Sequence, residues 1–195
     1  MSVQSDLEAF AALLRKWNTA HNLVSRETVD ALWPRHIEDS LQLMRLLGPA
    51  DRDLIDLGSG GGFPAIPLAI ASRGADRRFT LVEPIAKKAA FLRAAARELR
   101  LPLTILEQRA EDIDSRETFD VITSRALANL PQLMAYGIRL VRPGGRLLLH
   151  KGRTYREESS RAAQLFDYDM VVHQSGTEPG GVVLEISKLR AKSAA

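Results

Sequence analysis

The chain has 195 residues, of which 45% are hydrophobic and 26% charged, a balance typical of an ordinary folded domain. It contains no cysteine, which excludes disulfides, thiolate metal sites and a cysteine nucleophile. No apolar run approaches the roughly 18 residues that a membrane-spanning helix needs, and the first ten residues lack the pattern of a signal peptide. We therefore expect a single cytoplasmic domain over residues 1–195, with neither a membrane nor a metal as partner.

The formal net charge of +3 indicates an anionic partner only weakly. The distribution of charge says more, because basic residues are concentrated near the C-terminal third of the chain. Between residues 139 and 161 they are Arg139, Arg142, Arg146, Lys151, Arg153, Arg156 and Arg161, against the two acids Glu157 and Glu158. Two interpretations stay open for this run: a basic face that binds an anion, or an ordinary solvated surface.

The N-terminal third is predicted to be helical. Ser5 to Glu8 has the pattern of a capping box, and the apolar residues that follow recur with helical spacing. A second helical stretch over about 27–47 contains Pro34, so its first turns should form a separate short piece. We take residues 1–50 as a helical N-terminal extension.

From Asp53 onward, β-type apolar runs alternate with helical ones, which predicts a parallel sheet covered by helices on both faces. The strands are expected at 54–57, 79–83, 103–107, 119–124 and 144–152, and the helices at 64–72, 85–100, 129–140 and 155–166. Two further strands, 170–174 and 182–187, flank a loop rich in glycine and proline and predict an antiparallel hairpin. The result is a seven-stranded α/β Rossmann-like core over 51–190, with 191–195 as a tail.

A glycine-rich loop, DLGSGGGFPAIP (56–67), joins the first strand to the next helix. No lysine follows its glycines, which excludes a P-loop, and Phe63 stands where a dinucleotide fingerprint needs its third glycine. The pattern is instead D-x-G-x-G-x-G, formed by Asp56, Gly58, Gly60 and Gly62, and it is typical of S-adenosylmethionine-dependent methyltransferases. An acid at the strand end can orient the cofactor's ammonium group.

Acids also follow the second and third strands. Glu83 ends the second strand, where it can accept hydrogen bonds from both ribose hydroxyls of a nucleoside. Glu111 and the backbone of Ala110 follow the third strand, where such folds meet the adenine ring. Each acid alone is more often a solvated surface group, but three at successive strand ends favour one cofactor site.

Several stretches spread along the chain carry a closer resemblance. They are KWNTAHNLVS (16–25), RHIEDS (35–40), DLGSGGGFPAIPLAI (56–70), LVEPIAKKAAFLR (81–93), TSRALANL (123–130) and HKGR (150–153). Together they resemble the small-subunit (16S) ribosomal RNA guanine-N7 methyltransferases, also called the glucose-inhibited division protein B family. The chain departs from the family pattern at Ala65, where many members have glycine, and in a short extension before Trp17. The resemblance covers nearly the whole chain in order.

This resemblance implies a class I methyltransferase fold, S-adenosylmethionine as cofactor and 16S rRNA, within the small ribosomal subunit, as substrate. We also expect the protein to be a monomer. It places the cofactor around Gly58, Phe63, Ala110, Glu111 and Arg125, with Glu83 at the ribose. Arg125 follows the fourth strand, where it can contact the cofactor, the target base or an RNA phosphate. An ion pair that stabilises the loop is the alternative role for this arginine.

The chemistry of guanine N7 limits what the enzyme must supply. N7 carries an in-plane lone pair in the neutral base, so we expect positioning to suffice without an obligatory general base. An arginine bound to both O6 and N7 would block the nucleophile, whereas an acceptor on the Watson–Crick edge would favour the developing positive charge. His36 and Asp39 share a helix face and are candidates for this catalytic surrounding, although a contact within the helix is an equally good interpretation.

Arg35, Lys151 and Arg153 are the candidates for binding RNA phosphates. Two other functions remain open from the sequence. A small-molecule methyltransferase would have a closed apolar substrate pocket, and an RNA-binding module would keep only a vestigial cofactor site. An NAD-dependent oxidoreductase is disfavoured by Phe63.

Overall fold

The computed structural model describes residues 2–114, 116 and 118–192. Its centre is a seven-stranded sheet with the order β3-β2-β1-β4-β5-β7-β6. The strands are β1 (Asp53–Leu57), β2 (Arg78–Val82), β3 (Leu103–Leu106), β4 (Phe119–Arg125), β5 (Val141–Lys151), β6 (Phe166–Gln174) and β7 (Val182–Ala191). The first five pair in parallel, and β7 inserts antiparallel between β5 and β6. The predicted fold class and the antiparallel insertion are thereby confirmed.

The helices lie on both faces of this sheet. They are α1 (Val3–His21), α2 (Arg26–Val29), α3 (Asp39–Leu41), α4 (Ala65–Ala71), α5 (Ala86–Glu98), α6 (Leu130–Leu140) and α7 (Tyr155–Leu165). The predicted capping box at Ser5 is wrong: Ser2 is the N-cap of α1 and accepts a hydrogen bond from the Ser5 backbone N–H at 3.1 Å. None of the helices in the described part of the chain is long and apolar enough to cross a membrane.

The segment between α2 and β1 is irregular in its helical pitch. A π-helical turn (Trp33–Glu38) leads into the short α3, and a 3-10 turn (Gln42–Leu46) follows. Pro34 lies in the first turn of the π-helical part, where its missing N–H leaves no intrahelical acceptor unpaired. The chain therefore starts a new helix at Trp33, as the proline predicts, and turns His36 and Asp39 towards the sheet as buried residues.

The alternation of side chains along the strands produces two apolar layers. On one face, Leu54 and Leu148 pack with Phe10 of α1 and with α4 and α5. On the other face, Ile55 and Leu149 pack with α6 and α7. Because both faces of the central strands are covered, polar groups remain accessible mainly at the strand ends.

A shift in the pairing of β4 with β5 determines which residues are neighbours at the carboxyl end of these strands. Phe119 pairs with Val141, whereas Val121 already pairs with Arg146. Beyond this shift the register is regular, and it brings Arg125 opposite His150. The extra residues of β5 at this shift thus place His150 beside Arg125, one of the candidate site residues.

Gly145, at this shift, has no space for a side chain. A Cβ atom there would lie 2.7 Å from the Asp120 carbonyl oxygen, in a central strand that cannot move aside. We expect Gly145→Ala to lower the free energy of unfolding by roughly 1–3 kcal/mol, the usual range for overpacking. Gly176→Ala is the control, since nothing lies within 4 Å of its Cβ position. Urea unfolding measures the stability of both variants. Equal unfolding midpoints would contradict the conclusion that Gly145 has no space for a side chain.

Candidate active site

The glycine loop follows β1 at the carboxyl edge of the sheet. Gly58, Gly60 and Gly62 have φ values of +73°, +53° and +87°, in the left-handed region that favours glycine. The backbone N–H groups of Gly58 and Ser59 both donate to the Val82 carbonyl at 3.0 Å, which fixes the loop against the end of β2. The loop therefore presents backbone rather than side chains to the space above the sheet.

Asp56 lies beneath this loop and is 2% exposed. Its Oδ1 accepts a hydrogen bond from Thr123 Oγ1 at 2.7 Å, while its Oδ2 is shielded from water and has no partner in the part of the chain that the structure describes. Burial raises the pKa of Asp56 to about 7, although the hydrogen bond from Thr123 opposes the shift. The negative charge of this carboxylate is suited to the ammonium of S-adenosylmethionine, although Asp56 is not among the residues that line the two cavities described below.

Glu83 follows β2 directly and is also buried, at 4% exposure. Its Oε2 accepts from the Gly60 N–H and its Oε1 from the Ile85 N–H, both at 2.9 Å. The carboxylate thus anchors the glycine loop. Each of its oxygens can accept a second hydrogen bond, which leaves capacity for the two hydroxyls of a ribose.

A cavity of about 210 Å³ opens beside Gly58 on the side of β3. Its wall includes Gly58, Val82, Pro84, Ala110, Glu111, Leu127 and Tyr136. Ala110 is buried in the turn after β3, while the side chain of Glu111 is about half exposed and lies 3.7 Å from Arg109. The mixture of apolar wall and backbone polar groups suits a flat heteroaromatic ring.

A larger cavity of about 590 Å³ lies on the other side of Gly58. The N-terminal segment, the glycine loop, the ends of β4 and β5 and the loop before β7 all contribute to its wall. Its charged and imidazole side chains include Arg35, His36, Asp39, Lys88, Arg125 and His150. Since Gly58 lines both cavities, a cofactor over the loop would reach from one into the other.

Arg125 is the centre of a cluster in this wall. Its Nη1 donates to the Arg35 carbonyl at 3.1 Å and lies 3.4 Å from Asp39 Oδ2, and its Nη2 contacts His36 Nδ1. The guanidinium carbon is 5.2 Å from the centre of the Phe63 ring, on which His36 also stacks at 4.9 Å. Among the sequence-predicted candidates, Arg125 therefore contacts the Arg35 backbone and the side chains of His36 and Asp39, and the ring of Phe63 packs against both His36 and Arg125.

His150 belongs to the same cluster and was not singled out from sequence. Its Nε2 lies 3.0 Å from the Asp39 carbonyl oxygen and 3.6 Å from Asp39 Oδ2. The only sequence signal was its place next to Lys151 in HKGR. A buried histidine in a strand is usually part of the core, so its contact with Asp39 became visible only with the fold.

Lys151 lines the larger cavity, but its charge is paired with a carboxylate there. Its side chain is 9% exposed, and its Nζ lies 2.6 Å from Glu158 Oε2 and donates to the Ala128 carbonyl at 3.0 Å. This pairing argues for a structural role instead of the phosphate contact expected from sequence. Arg35, Lys88 and Arg153 have no carboxylate within 4 Å among the described residues, and Arg35 and Arg153 are exposed.

The run of basic residues between 139 and 161 does not form one face, which corrects the first interpretation of that run. Arg142 pairs with Asp53 at 2.8 Å, and Arg146 with Asp51 at 2.8 Å. These pairs lie at the amino ends of the strands, opposite the glycine loop. Successive basic residues of β5 are separated along the full length of the strand, so their proximity in sequence does not make a common surface.

Comparison with known proteins agrees with these features. The family model described as GidB, rRNA small subunit methyltransferase G, matches residues 3–181. The ribosomal RNA small subunit methyltransferase G of Paracoccus denitrificans is 44% identical over 97% of this chain and 99% of its own length. That of Rhodospirillum centenum is 44% identical over 94% of this chain and 83% of its own length.

Among solved structures, the glycopeptide N-methyltransferase MtfA complexed with S-adenosyl-L-methionine superposes with a TM-score of 0.64. It is 13% identical, with 77% of this chain and 93% of that chain covered, so the likeness concerns the fold. The fold and the loop over Asp56 define an S-adenosylmethionine-dependent methyltransferase. Within that class, the chain belongs to the rRNA small subunit methyltransferase G family. No group of three potential metal ligands occurs among the residues that the structure describes.

The raised pKa of Asp56 predicts how cofactor affinity depends on pH. If the ionised carboxylate pairs with the cofactor's ammonium, as we expect, protonation of a carboxyl with a pKa of about 7 removes that anion. Affinity for S-adenosylmethionine should therefore fall roughly tenfold from about pH 7.5 to about pH 6. Isothermal titration calorimetry measures this slope. Asp56→Asn should bind more weakly at all pH values and without the slope; an unchanged slope in the variant would assign the titration to another group.

Arg125 is predicted to matter more for turnover than for folding. A lysine retains the charge but cannot donate at once to the Arg35 carbonyl and to His36. We expect Arg125→Lys to slow methyl transfer roughly tenfold or more, with a change in unfolding free energy below about 1.5 kcal/mol. Arg146→Lys is the matched control, since both arginine side chains are 19% exposed and paired with a buried aspartate. It should alter stability alone, and a wild-type rate for Arg125→Lys would make that arginine structural.

Proposed function

We propose that the protein transfers the methyl group of S-adenosyl-L-methionine to N7 of a specific guanine in 16S rRNA. The observation that carries this proposal is the meeting of the two cavities at Gly58. The smaller one suits the cofactor's base, and the larger one, with its arginines and histidines, suits a nucleotide. Membership of the methyltransferase G family supports small-subunit rRNA as the source of that nucleotide.

Residues of the glycine loop and of the turns after β2 and β3 would each hold one part of the cofactor. Asp56 would take the ammonium, Glu83 the ribose hydroxyls, and the backbone of Ala110 and Glu111 the adenine, while Gly58 keeps the space between them free. S-adenosylmethionine supplies an electrophilic methyl group on a sulfonium. The chain's own contribution is to place guanine N7 in line with it, since the N7 lone pair needs no deprotonation.

Neither His36 nor Asp39 is poised as a general base, which agrees with this chemistry. His36 is neutral at pH 7, because burial and the neighbouring Arg125 lower its pKa to about 4, and its Nδ1 already contacts Arg125. Asp39 accepts hydrogen bonds from Gln42 and Thr177 and faces Arg125. The cluster is organised to hold a base and its surroundings rather than to remove a proton.

The same features weigh against a small-molecule methyltransferase. Such an enzyme would enclose its substrate in an apolar pocket, whereas this cavity is lined by arginine, lysine and histidine side chains. Arg35 and Arg153 remain available at the surface for RNA phosphates. We further propose that residues 1–195 act as one methyltransferase domain, as a cytoplasmic monomer, on rRNA within the small ribosomal subunit.

Methylation of isolated subunits tests the proposal directly. Purified protein is incubated with methyl-labelled S-adenosylmethionine and with small subunits from cells that lack the modification. We expect label in 16S rRNA at a single guanine, detected as strand scission after borohydride and aniline treatment, which is selective for 7-methylguanosine. Asp56→Asn should transfer much less label under the same conditions.

Two results would contradict the proposal. Label at an exocyclic nitrogen or a ribose oxygen would exclude N7 as the nucleophile. Absence of label in rRNA, together with transfer to a metabolite extract, would favour the small-molecule alternative. Parallel reactions with free 16S rRNA and with intact subunits show which of the two is the substrate.

A further inference from the structure

Two buried imidazole nitrogens in the wall of the larger cavity have no hydrogen-bond partner among the described residues. They are Nε2 of His36 and Nδ1 of His150, on side chains that are about 9% and 8% exposed. Both residues line the cavity together with Arg125. A buried polar atom without a partner costs free energy, so two of them in one substrate cavity call for a ligand with complementary groups.

The hydrogen-bond roles of His36 follow from its neighbour. Arg125 can only donate, so the His36 Nδ1 that it contacts must be the acceptor and carries no proton. The proton of the neutral ring is then on Nε2. His36 therefore offers a donor without a partner, held in position by its stacking on Phe63.

His150 has the opposite arrangement. Its Nε2 lies 3.0 Å from the carbonyl oxygen of Asp39, which can only accept, so Nε2 carries the proton. Nδ1 of the neutral ring is then an acceptor without a partner. Burial lowers the pKa of both histidines, to about 4 for His36, and this supports neutral rings at physiological pH.

We propose that these two histidines read the target base, with His36 Nε2–H donating to guanine O6 and His150 Nδ1 accepting from guanine N1–H. The proposal deepens the proposed function and rests on it. Guanine presents an acceptor and a donor side by side at O6 and N1. Adenine presents the reverse, a donor at N6 and an acceptor at N1, and would face donor with donor and acceptor with acceptor.

This arrangement also leaves N7 free for the methyl group, which a bidentate arginine would not. Positive charge that develops on the ring as N7 is methylated makes N1–H a stronger donor. The bond to His150 is therefore strongest when the barrier is crossed, as catalysis by differential binding requires. Both histidines touch the substrate in this assignment, whereas Arg125 and Asp39 are positioning residues that fix their tautomers.

Other groups in the cavity are less suited to these roles. The guanidinium of Arg125 already donates hydrogen bonds to the Arg35 carbonyl, Asp39 and His36. Glu158 is bonded to Lys151 and to the Leu130 N–H. Glu178 is exposed and remains a competing acceptor at the cavity rim, so it provides a control.

Two substitutions remove one unpartnered atom each and keep the bond on the opposite side of the ring. His36→Asn retains an acceptor for Arg125 near the Nδ1 position but has no donor at Nε2. His150→Gln retains a donor for the Asp39 carbonyl near the Nε2 position but has no acceptor at Nδ1. Melting temperature and affinity for S-adenosylmethionine, measured for both variants, establish that fold and cofactor site are intact.

The assay compares two bases at the mapped target position, in subunits reconstituted from 16S rRNA with guanine or 2-aminopurine at that residue. The analogue keeps N7 but lacks O6 and N1–H. We expect the native enzyme to prefer guanine by roughly 100-fold or more, since unmatched polar groups in a site give large discrimination. Each histidine variant should lose guanine turnover and reduce this preference to less than about tenfold, whereas Glu178→Gln should keep it.

Variants that slow both bases equally, with the preference unchanged, would overturn the assignment and make the histidines structural. Loss of the preference in Glu178→Gln, with the histidine variants unaffected, would transfer base reading to that carboxylate. Failure of the native enzyme to methylate guanine N7 at all would instead refute the proposed function. The activity of the native enzyme on unsubstituted subunits thus distinguishes failure of the base-reading proposal from failure of the proposed function.

Discussion

The buried carboxylate of Asp39 links parts of the chain that are far apart in sequence. Its Oδ1 accepts from Thr177 at 2.7 Å, in the loop before β7, and its Oδ2 faces Arg125 at the end of β4. Its carbonyl oxygen accepts from His150 at the end of β5. A buried charge is tolerated only when it is paired and hydrogen-bonded, so the N-terminal segment can pack on the sheet in essentially one way. The cavity wall exists because that requirement is met.

Asp56, unlike Asp39, is a buried carboxylate whose hydrogen-bonding capacity is not filled. It is buried but only half satisfied, with one oxygen bound to Thr123 and the other without a partner. The cost of this arrangement appears in its pKa of about 7, which burial raises. In the proposed site, the ammonium of the cofactor would pair with this carboxylate and offset the unfavourable free energy of its burial. Asp39 would then stabilise the structure, whereas Asp56 would contribute to cofactor binding.

The sequence predicted the parts of the fold that depend on local patterns. Alternating apolar runs gave the strands and their layers, and Asp56 with Phe63 distinguished the glycine loop from a dinucleotide site. It could not predict what depends on tertiary register. The register shift at Gly145 brings His150 beside Arg125, and the local sequence pattern of β5 does not predict this shift. Likewise, the sequence predicts that Lys151 is free to bind phosphate, whereas in the structure its Nζ lies 2.6 Å from Glu158 Oε2.

The distribution of cations determines how the proposed enzyme would hold RNA. Both arginines of β5 pair with carboxylates at the amino-terminal edge of the sheet, whereas Arg35, Lys88 and Arg153 near the cavity have no carboxylate within 4 Å in the described part of the chain. Three phosphate contacts to a single strand would give a salt dependence of about the second power, which is a shallow one. Non-specific attraction to the backbone is therefore weak. Recognition must come from the shape of the folded substrate and from the base, and neutral histidines discriminate between bases without adding affinity for RNA in general.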